Sequence, residues 1–115
     1  MEGPYNRGEI IMVNLGEVSE VRGHEQAKHR PCVVIKSFPN LKLAIVLPVT
    51  SSTKLSFYTI VSLLQGAGGL TTDSYALCHQ IRSISFERIT SSLGRLERHD
   101  FLKIQVVLTD TLELH

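Results

Sequence analysis

Runs of apolar residues separated by turn signals divide the chain into short segments. Strand-like patterns cover residues 9–15, 32–36, 43–49, 59–64 and 74–84, and the last run has a potential bend near Gln80. Pro31 stands at the start of the second run, where a strand permits proline, and Pro48 interrupts the third. Residues 85–87 predict one short turn. Residues 88–96 remain ambiguous, although Gly94 argues against a long helix there.

The last segment has a helical period instead. Five apolar residues fall on one stripe at helical spacing, namely Phe101, Ile104, Val107, Leu108 and Leu112. His99 or Asp100 stands where an N-cap belongs, and aspartate is the better cap. Five to seven strands followed by one helix predict a mainly β domain, a small barrel with a C-terminal α-helix rather than alternating βαβ units.

Composition narrows the class of protein. A chain of 115 residues suits a single domain over 1–115 with its own core, and its net charge is only +1. Proteins that grip long nucleic-acid duplexes are usually far more basic, so any nucleic-acid contact should be local. Cys32 and Cys78 lie in apolar runs, and we expect two buried, reduced thiols rather than a disulfide.

The N-terminus lacks the basic start and apolar stretch of a signal peptide. The longest apolar run, 43–49, is far shorter than the roughly 20 residues that a membrane helix needs. We therefore expect a soluble, cytoplasmic protein with no membrane partner.

A long polar stretch, 16–30, separates the first two predicted strands, and loops of this length in small domains are usually functional. Its end concentrates acidic, amide and basic side chains: His24, Glu25, Gln26, Lys28, His29 and Arg30. From the residues alone, two interpretations stay open. The stretch is either a solvated charged loop or a phosphate-handling site anchored on the following strand.

Several blocks, taken in order, resemble the MazF/PemK toxins. The main one has Gly23, Glu25, Gln26, Arg30 and Pro31 at the family's spacing, followed by an apolar strand. The other blocks are Arg7-Gly8-Glu9-Ile10, Pro48-Val49-Thr50-Ser51-Ser52, Gln80-Ile81-Arg82-Ser83-Ile84, Arg88-Ile89 and Leu93-Gly94-Arg95-Leu96. Together they span nearly the whole chain.

The resemblance implies an SH3-like barrel with a C-terminal helix, of the MazF/CcdB kind, assembled as a homodimer. It also implies a metal-independent, sequence-specific endoribonuclease that cuts single-stranded mRNA. The products would carry a 2′,3′-cyclic phosphate and a 5′-hydroxyl. A cognate antitoxin would neutralise the enzyme, and neither a cofactor nor a metal is expected.

The resemblance further assigns catalytic roles to Arg30, Thr50 and Glu25. A guanidinium grips a phosphate with a planar fork of donors, and it stays protonated in proteins. Arg30 is therefore expected to stabilise charge rather than to carry a proton. Thr50 would donate a hydrogen bond to a non-bridging oxygen. Glu25 would either orient Arg30 or act on the 2′-hydroxyl.

RNA recognition needs further polar and stacking contacts, because single-stranded RNA displays its bases. The residues predicted to bind RNA are Gln26, Lys28, His29, Ser51, Ser52, Lys54, Phe57, Gln80 and Arg82. Phe57 fits the core as well as it fits a stacking platform.

One departure from the family concerns the block before Gln80. Plasmid-borne members carry an arginine and an aspartate where this chain has Leu77 and His79. His79 is either a structural residue or an auxiliary proton carrier that replaces the acid. A zinc site from His24, His29 and His79 lacks the tight spacing of such sites, so no metal is predicted.

Two other interpretations remain. One is a non-catalytic toxin or binding module on the same fold, such as a gyrase-poisoning CcdB-like protein. The functional residues of such relatives lie at the C-terminal end, and residues 111–115 show no such pattern. The other is a degenerate family member kept for interaction alone.

Overall fold

The computed structural model describes residues 4–16, 29–51 and 58–114. Over these ranges seven β-strands precede one α-helix, which confirms the predicted fold class. The elements are β1 (Glu9–Asn14), β2 (His29–Phe38), β3 (Leu43–Thr50), β4 (Ile60–Leu63), β5 (Ser74–Leu77), β6 (Arg82–Ser85), β7 (Ile89–Arg95) and α1 (Arg98–Thr111). Single 3₁₀ turns lie at Pro39–Leu41, Ala67–Gly69, Cys78–Gln80 and Phe86–Arg88.

All strand pairs are antiparallel, in the order β4-β5-β3-β2-β1-β7, and β6 also pairs with β3. Among the described strands, β4 and β7 at the two ends do not pair, so the barrel is open. One face of the sheet packs on α1 through a core that includes Ile10, Val33, Leu47 and Ile104. The other face carries a second apolar cluster around Val13, Cys32, Val34 and Val46.

Both prolines lie inside strands: Pro48 in β3, within the predicted run, and Pro31 in β2, which begins two residues earlier than this proline. Pro31 is the third residue of β2 and pairs with Met12, whereas pairing of β2 with β3 begins only at Cys32. Pro48 pairs with Cys32 and lies where β3 changes partner, between its β6 pairing at Leu43–Val46 and its β5 pairing at Val49–Thr50. Each proline therefore lacks a strand on one side, where its missing N–H costs no ladder hydrogen bond.

The run predicted as one bent strand, 74–84, forms two strands, β5 and β6, joined by the 3₁₀ turn at Cys78–Gln80. The bend near Gln80 is thus the end of one strand and the start of another. The ambiguous stretch 88–96 is mostly strand, since β7 covers Ile89–Arg95. The predicted turn at 85–87 is the 3₁₀ turn Phe86–Arg88, and Ser85 Oγ accepts a hydrogen bond from the Glu87 N–H.

The helix begins earlier than predicted, because Glu97 occupies the N-cap position and makes no side-chain cap hydrogen bond. The expectation of His99 or Asp100 as N-cap is wrong. The Asp100 carboxylate contacts His99 and Lys103, each at 3.5 Å, from inside the first turn. The apolar stripe is largely confirmed: Ile104 is fully buried, while Phe101, Val107 and Leu108 pack against the core. Leu112 lies past the helix end and is 40% exposed.

Both cysteines are free and buried, as predicted. None of the helices in the described ranges is long and apolar enough to cross a membrane.

Two glycines bring the 3₁₀ turn at Ala67–Gly69 directly onto β7. A Cβ on Gly94 would lie 2.8 Å from the Gly68 carbonyl oxygen, closer than a side chain tolerates. Gly68 itself has a φ of +56° and is buried beside Ile10 and Leu96. This close approach positions the next residues, Gly69 and Leu70, at the edge of the cavity described below.

Candidate active site

A cavity of about 540 Å³ opens where β2 begins and β3 ends. Its polar lining consists of His29, Arg30, Thr50, Ser51, Thr71, Thr72 and Ser74. Its other lining residues are Met12, Pro31, Val49, Gly69, Leu70 and Leu93. The two residues predicted to hold the scissile phosphate, Arg30 and Thr50, therefore share one cavity.

Strand register explains why these two residues meet. Arg30 pairs with Val13 of β1, while the last pair between β2 and β3 is Cys32 with Pro48. Two steps further along each strand bring Arg30 and Thr50 to corresponding positions. The ladder does not continue there, because Thr50 pairs with Tyr75 of β5. The cavity occupies the gap where β2 and β3 separate.

Arg30 brings a positive charge to the cavity, and none of its described lining residues is acidic. Arg30 and Arg82 both act on the buried Cys32 thiol, and their charges lower its pKa. Burial has the larger and opposite effect and raises the pKa of Cys32 to about 12. Arg82 does not line the cavity.

Two arginines hold the C-terminal end of β1. Arg82 Nη1 donates to the Leu15 carbonyl at 3.4 Å, and Arg88 Nη1 donates to the Asn14 carbonyl at 3.0 Å. Asn14 pairs with His29, so these contacts fix the backbone beside the cavity. Arg82 was predicted as an RNA contact, whereas no function was predicted for Arg88.

The structure does not bring His79 or Gln80 to this cavity. Both are exposed and belong to the 3₁₀ turn after β5. His79 Nδ1 lies 2.7 Å from the hydroxyl of Thr59, which is buried at the start of β4. This bond gives His79 a structural role.

Several predicted site residues lie outside the described ranges: Glu25, Gln26, Lys28, Ser52, Lys54 and Phe57. His24, which was considered as a metal ligand, lies outside them as well. Within residues 4–16, 29–51 and 58–114, no group of three or more His, Cys, Asp or Glu side chains is placed to hold a metal ion.

The sequence analysis missed one wall of the cavity, formed by Thr71, Thr72 and Ser74. Thr71 and Thr72 precede β5 and Ser74 is its first residue, and this strand reaches Thr50 only through the pairing of β3 with β5. Isolated hydroxyl residues in a turn carry no local signal of a site. The Ser74 hydroxyl donates to the Thr72 carbonyl at 3.0 Å, which shapes this wall.

Burial keeps the two cysteine thiols in their protonated form. It raises the pKa of Cys78 to about 11, as it raises that of Cys32. A thiol that stays protonated at neutral pH is a poor nucleophile, so neither cysteine can supply covalent catalysis.

Comparison with known proteins identifies relatives of this chain in sequence. Residues 6–112 match the profile of the PemK-like, MazF-like toxins of type II toxin–antitoxin systems. A protein named endoribonuclease MazF9, from Mycobacterium tuberculosis, is 32% identical over 117 residues, covering 95% of this chain and 93% of the relative.

Solved structures share the fold. A mycobacterial endoribonuclease in complex with its cognate antitoxin aligns with a TM-score of 0.74 and 18% identity, covering 96% of this chain and 97% of that one. MazF from Deinococcus radiodurans aligns with a TM-score of 0.75 and 22% identity, covering 97% and 99%. The profile match spans nearly all of the chain, and the sequence relative is similar over almost its whole length. The chain therefore belongs to the PemK/MazF family of toxins of type II toxin–antitoxin systems.

Proposed function

We propose that this chain is a toxin endoribonuclease that cleaves single-stranded mRNA at specific sequences without a metal. The observation that carries the proposal is the shared cavity of Arg30 and Thr50, which has no acidic group among its described lining residues. A cavity of this charge favours a phosphodiester over an acidic or apolar substrate. The relative named as an endoribonuclease supports the same activity.

In this reaction the protein must accept the 2′-hydroxyl proton, protonate the leaving 5′-oxygen and stabilise negative charge on the phosphate. The RNA 2′-oxygen attacks the adjacent phosphorus, the bond to the 5′-oxygen breaks, and a 2′,3′-cyclic phosphate and a 5′-hydroxyl result. Arg30 would stabilise the charge that builds on the non-bridging oxygens, and the Thr50 hydroxyl would donate to one of them. Preorganised donors of this kind are usually the largest contribution to catalysis.

Proton transfer needs a separate group, because a guanidinium does not give up its proton. His29 lines the cavity beside Arg30, and an imidazole can accept the 2′-hydroxyl proton or protonate the leaving oxygen. Glu25 remains the alternative base or the residue that orients Arg30, as the family resemblance implies.

RNA binding beyond the phosphate would use Ser51, which lines the cavity, and Arg82, which holds the backbone at Leu15. Gln26, Lys28, Ser52, Lys54 and Phe57 complete the proposed RNA contacts, with Gln80 on the surface after β5. An mRNA substrate would place the enzyme's action in the cytoplasm.

Two partners follow from the proposal. A structural neighbour is described as bound to its cognate antitoxin, and we expect an antitoxin here too. An acidic segment that folds onto the Arg30–Thr50 cavity would suit its charge. We also expect a homodimer, since a second copy can cover an open sheet edge such as β4 or β7.

The test is a digest of mixed-sequence RNA by the purified protein in EDTA, followed by sequencing and chemical typing of the fragment ends. We expect cuts at a common short sequence, with cyclic phosphates on one side and 5′-hydroxyls on the other. A DNA gyrase supercoiling assay on the same preparation examines the non-catalytic alternative. Intact RNA together with inhibited gyrase would replace the proposal by that alternative.

A further inference from the structure

A second cavity, of about 470 Å³, lies at the end of β1 opposite to Arg30. Three exposed arginines line it: Arg7 before β1, Arg95 at the end of β7, and Arg98 at the start of α1. Phe101 and Gln105 also line it. We call these five residues the arginine cleft.

Local contacts hold two of the three arginines in place. The Arg7 guanidinium carbon lies 6.0 Å from the centre of the Phe101 ring, within cation–π range. Arg95 Nε donates to the Arg7 carbonyl at 3.2 Å, which ties the end of β7 to the chain before β1. Arg7 and Arg95 therefore form one side of the cleft as a linked pair, and Arg98 lines it from α1.

The described part of the chain does not neutralise the positive charge of the cleft. Within residues 4–16, 29–51 and 58–114, none of the three arginines is within ion-pair distance of a carboxylate. The three nearest acidic residues contact other groups, and none of them lines the cleft: Glu9, opposite Arg95 in the sheet, accepts from the Asn6 N–H and the Ser92 hydroxyl, while Glu97 and Asp100 each approach His99. Three like charges around one cavity repel each other unless an anion enters.

Arg98 brings the first turn of α1 to the cleft, where the carboxylates of Glu97 and Asp100 partly offset the helix dipole, so the arginines supply most of the positive charge. The N-cap residue, Glu97, makes no side-chain cap hydrogen bond, so the first helical N–H groups are not capped by that side chain. The N-terminus of a helix carries a partial positive charge and favours phosphate. Because a guanidinium binds phosphate through two parallel hydrogen bonds, the cleft has the chemistry of a phosphodiester site.

The arginine cleft is close to the Arg30–Thr50 cavity along β7. Leu93 lines the catalytic cavity and Arg95 lines the cleft, so the nearest edges of the two linings are two residues of β7, about 7 Å, apart. Arg30 itself pairs with Val13 and Arg95 with Glu9, four residues or about 14 Å apart along β1, a distance that a few nucleotides of one strand can span. We propose that the cleft binds backbone phosphates of the same RNA strand, flanking the phosphodiester that is cut. This inference rests on the proposed nuclease function, and adjacency favours RNA over an acidic peptide as the occupant.

The test compares two labelled RNAs that both contain the sequence cut by the wild type. The short RNA has no added flanks, and the long RNA has several extra nucleotides on each side. For Arg95→Gln/Arg98→Gln we expect KM for the long RNA to rise about tenfold, kcat to stay within about twofold, and the short RNA to be unaffected. The slope of log KM against log salt should fall by about 1.4, as for two lost contacts to a single strand.

Two further variants serve as controls. Lys36→Gln/Lys42→Gln removes the same charge from exposed positions outside the cleft and should leave KM for the long RNA near the wild-type value. Arg95→Lys/Arg98→Lys keeps the charge and should recover most of the lost affinity. Thermal midpoints of all variants are measured as well; those without Arg95 should be slightly lower, because they lose its hydrogen bond to the Arg7 carbonyl, and the short RNA shows whether that change alone affects cutting.

The possible failures are distinguishable. Wild-type protein that cuts neither RNA overturns the nuclease proposal and this inference together. Normal cutting with the same KM in Arg95→Gln/Arg98→Gln and in the wild type overturns only the cleft. Unchanged RNA kinetics combined with lost binding of an aspartate- and glutamate-rich peptide assigns the cleft to a protein partner instead.

Discussion

Arg30 and Thr50 lie two residues beyond the last paired positions of β2 and β3, Cys32 and Pro48, and both line the cavity that opens there. The guanidinium is held on β2 by pairing with β1, and the hydroxyl on β3 by pairing with β5. Side chains on rigid strands keep a productive geometry better than side chains on loops. The account of catalysis depends on this relationship.

Thr50→Val removes the hydroxyl while keeping the shape of the side chain. If the hydroxyl donates to the transition state, kcat should fall by about 10²-fold or more, because one such donor typically contributes that much. KM should change little. Thr109→Val, on the exposed surface of α1, is the matched control and should cut RNA at the wild-type rate. A Thr50→Val enzyme with full kcat would remove Thr50 from the mechanism.

His79→Ala tests whether this histidine acts in catalysis or in structure. Its Nδ1 lies 2.7 Å from the Thr59 hydroxyl and it does not line the cavity, so cleavage should stay within about twofold of the wild type. Losing the hydrogen bond should lower the free energy of unfolding by about 1 kcal/mol. Urea unfolding and a cleavage assay on the same sample measure both effects. A large loss of kcat without a change in stability would make His79 a proton carrier.

The buried thiols predict an alkaline loss of stability. The pKa of Cys32 is about 12 in the folded protein against 9.0 for the free side chain, because burial disfavours the thiolate. Below pH 9 the thiol is protonated in both states and stability is unaffected. Above pH 9 the unfolded chain ionises first, so this thiol should lower the free energy of unfolding by about 1.4 kcal/mol per pH unit.

Cys32→Ala lacks this ionisation and isolates it from other alkaline effects. With a phosphine reductant present, the wild-type unfolding free energy should decline more steeply than that of the variant between pH 9 and 11. Parallel curves for the two proteins would mean that the Cys32 thiol is not protected in the folded state.

Gly94→Ala tests the contact that positions Gly69 and Leu70 at the cavity. The added Cβ would approach the Gly68 carbonyl oxygen to 2.8 Å. Because this oxygen belongs to the backbone, the whole turn must move away from β7. We expect a loss of about 1–3 kcal/mol in unfolding free energy, typical of an overpacked site, together with a raised KM for RNA. Ser91→Ala, exposed on the same strand, should change neither quantity. A fully stable Gly94→Ala protein would show that the approach is looser than described.

The sequence predicted those parts of the fold that local patterns determine. Alternation and turn residues located β1 and β4 to within about one residue at each end, and the apolar stripe located α1. The start of α1 was misplaced because Asp100, a favourable cap, contacts its neighbours on the helix surface instead. Pro31 was misplaced because a strand without a partner on one side tolerates proline, and pairing partners are not visible in a local pattern.

Part of the candidate site could also be predicted from the sequence, and part depends on strand pairing. Arg30 and Thr50 were identified through family motifs, and the register of β2 and β3 brings them together. Thr71 and Thr72 were missed because only the pairing of β3 with β5 carries them to the cavity. The arginine cleft was missed for a similar reason, since Arg7 and Arg95 meet across a separation of 88 residues.

The most direct measurement is single-turnover cleavage of one labelled RNA in EDTA by wild-type protein, Arg30→Ala and Lys36→Ala. Lys36 is exposed on β2 and outside the cavity, so its variant controls for loss of a positive charge on the same strand. We expect Lys36→Ala to cut at the wild-type rate and Arg30→Ala to be slower by at least about 10²-fold while it remains folded. An Arg30→Ala protein that cuts within about tenfold of the wild type would contradict the account.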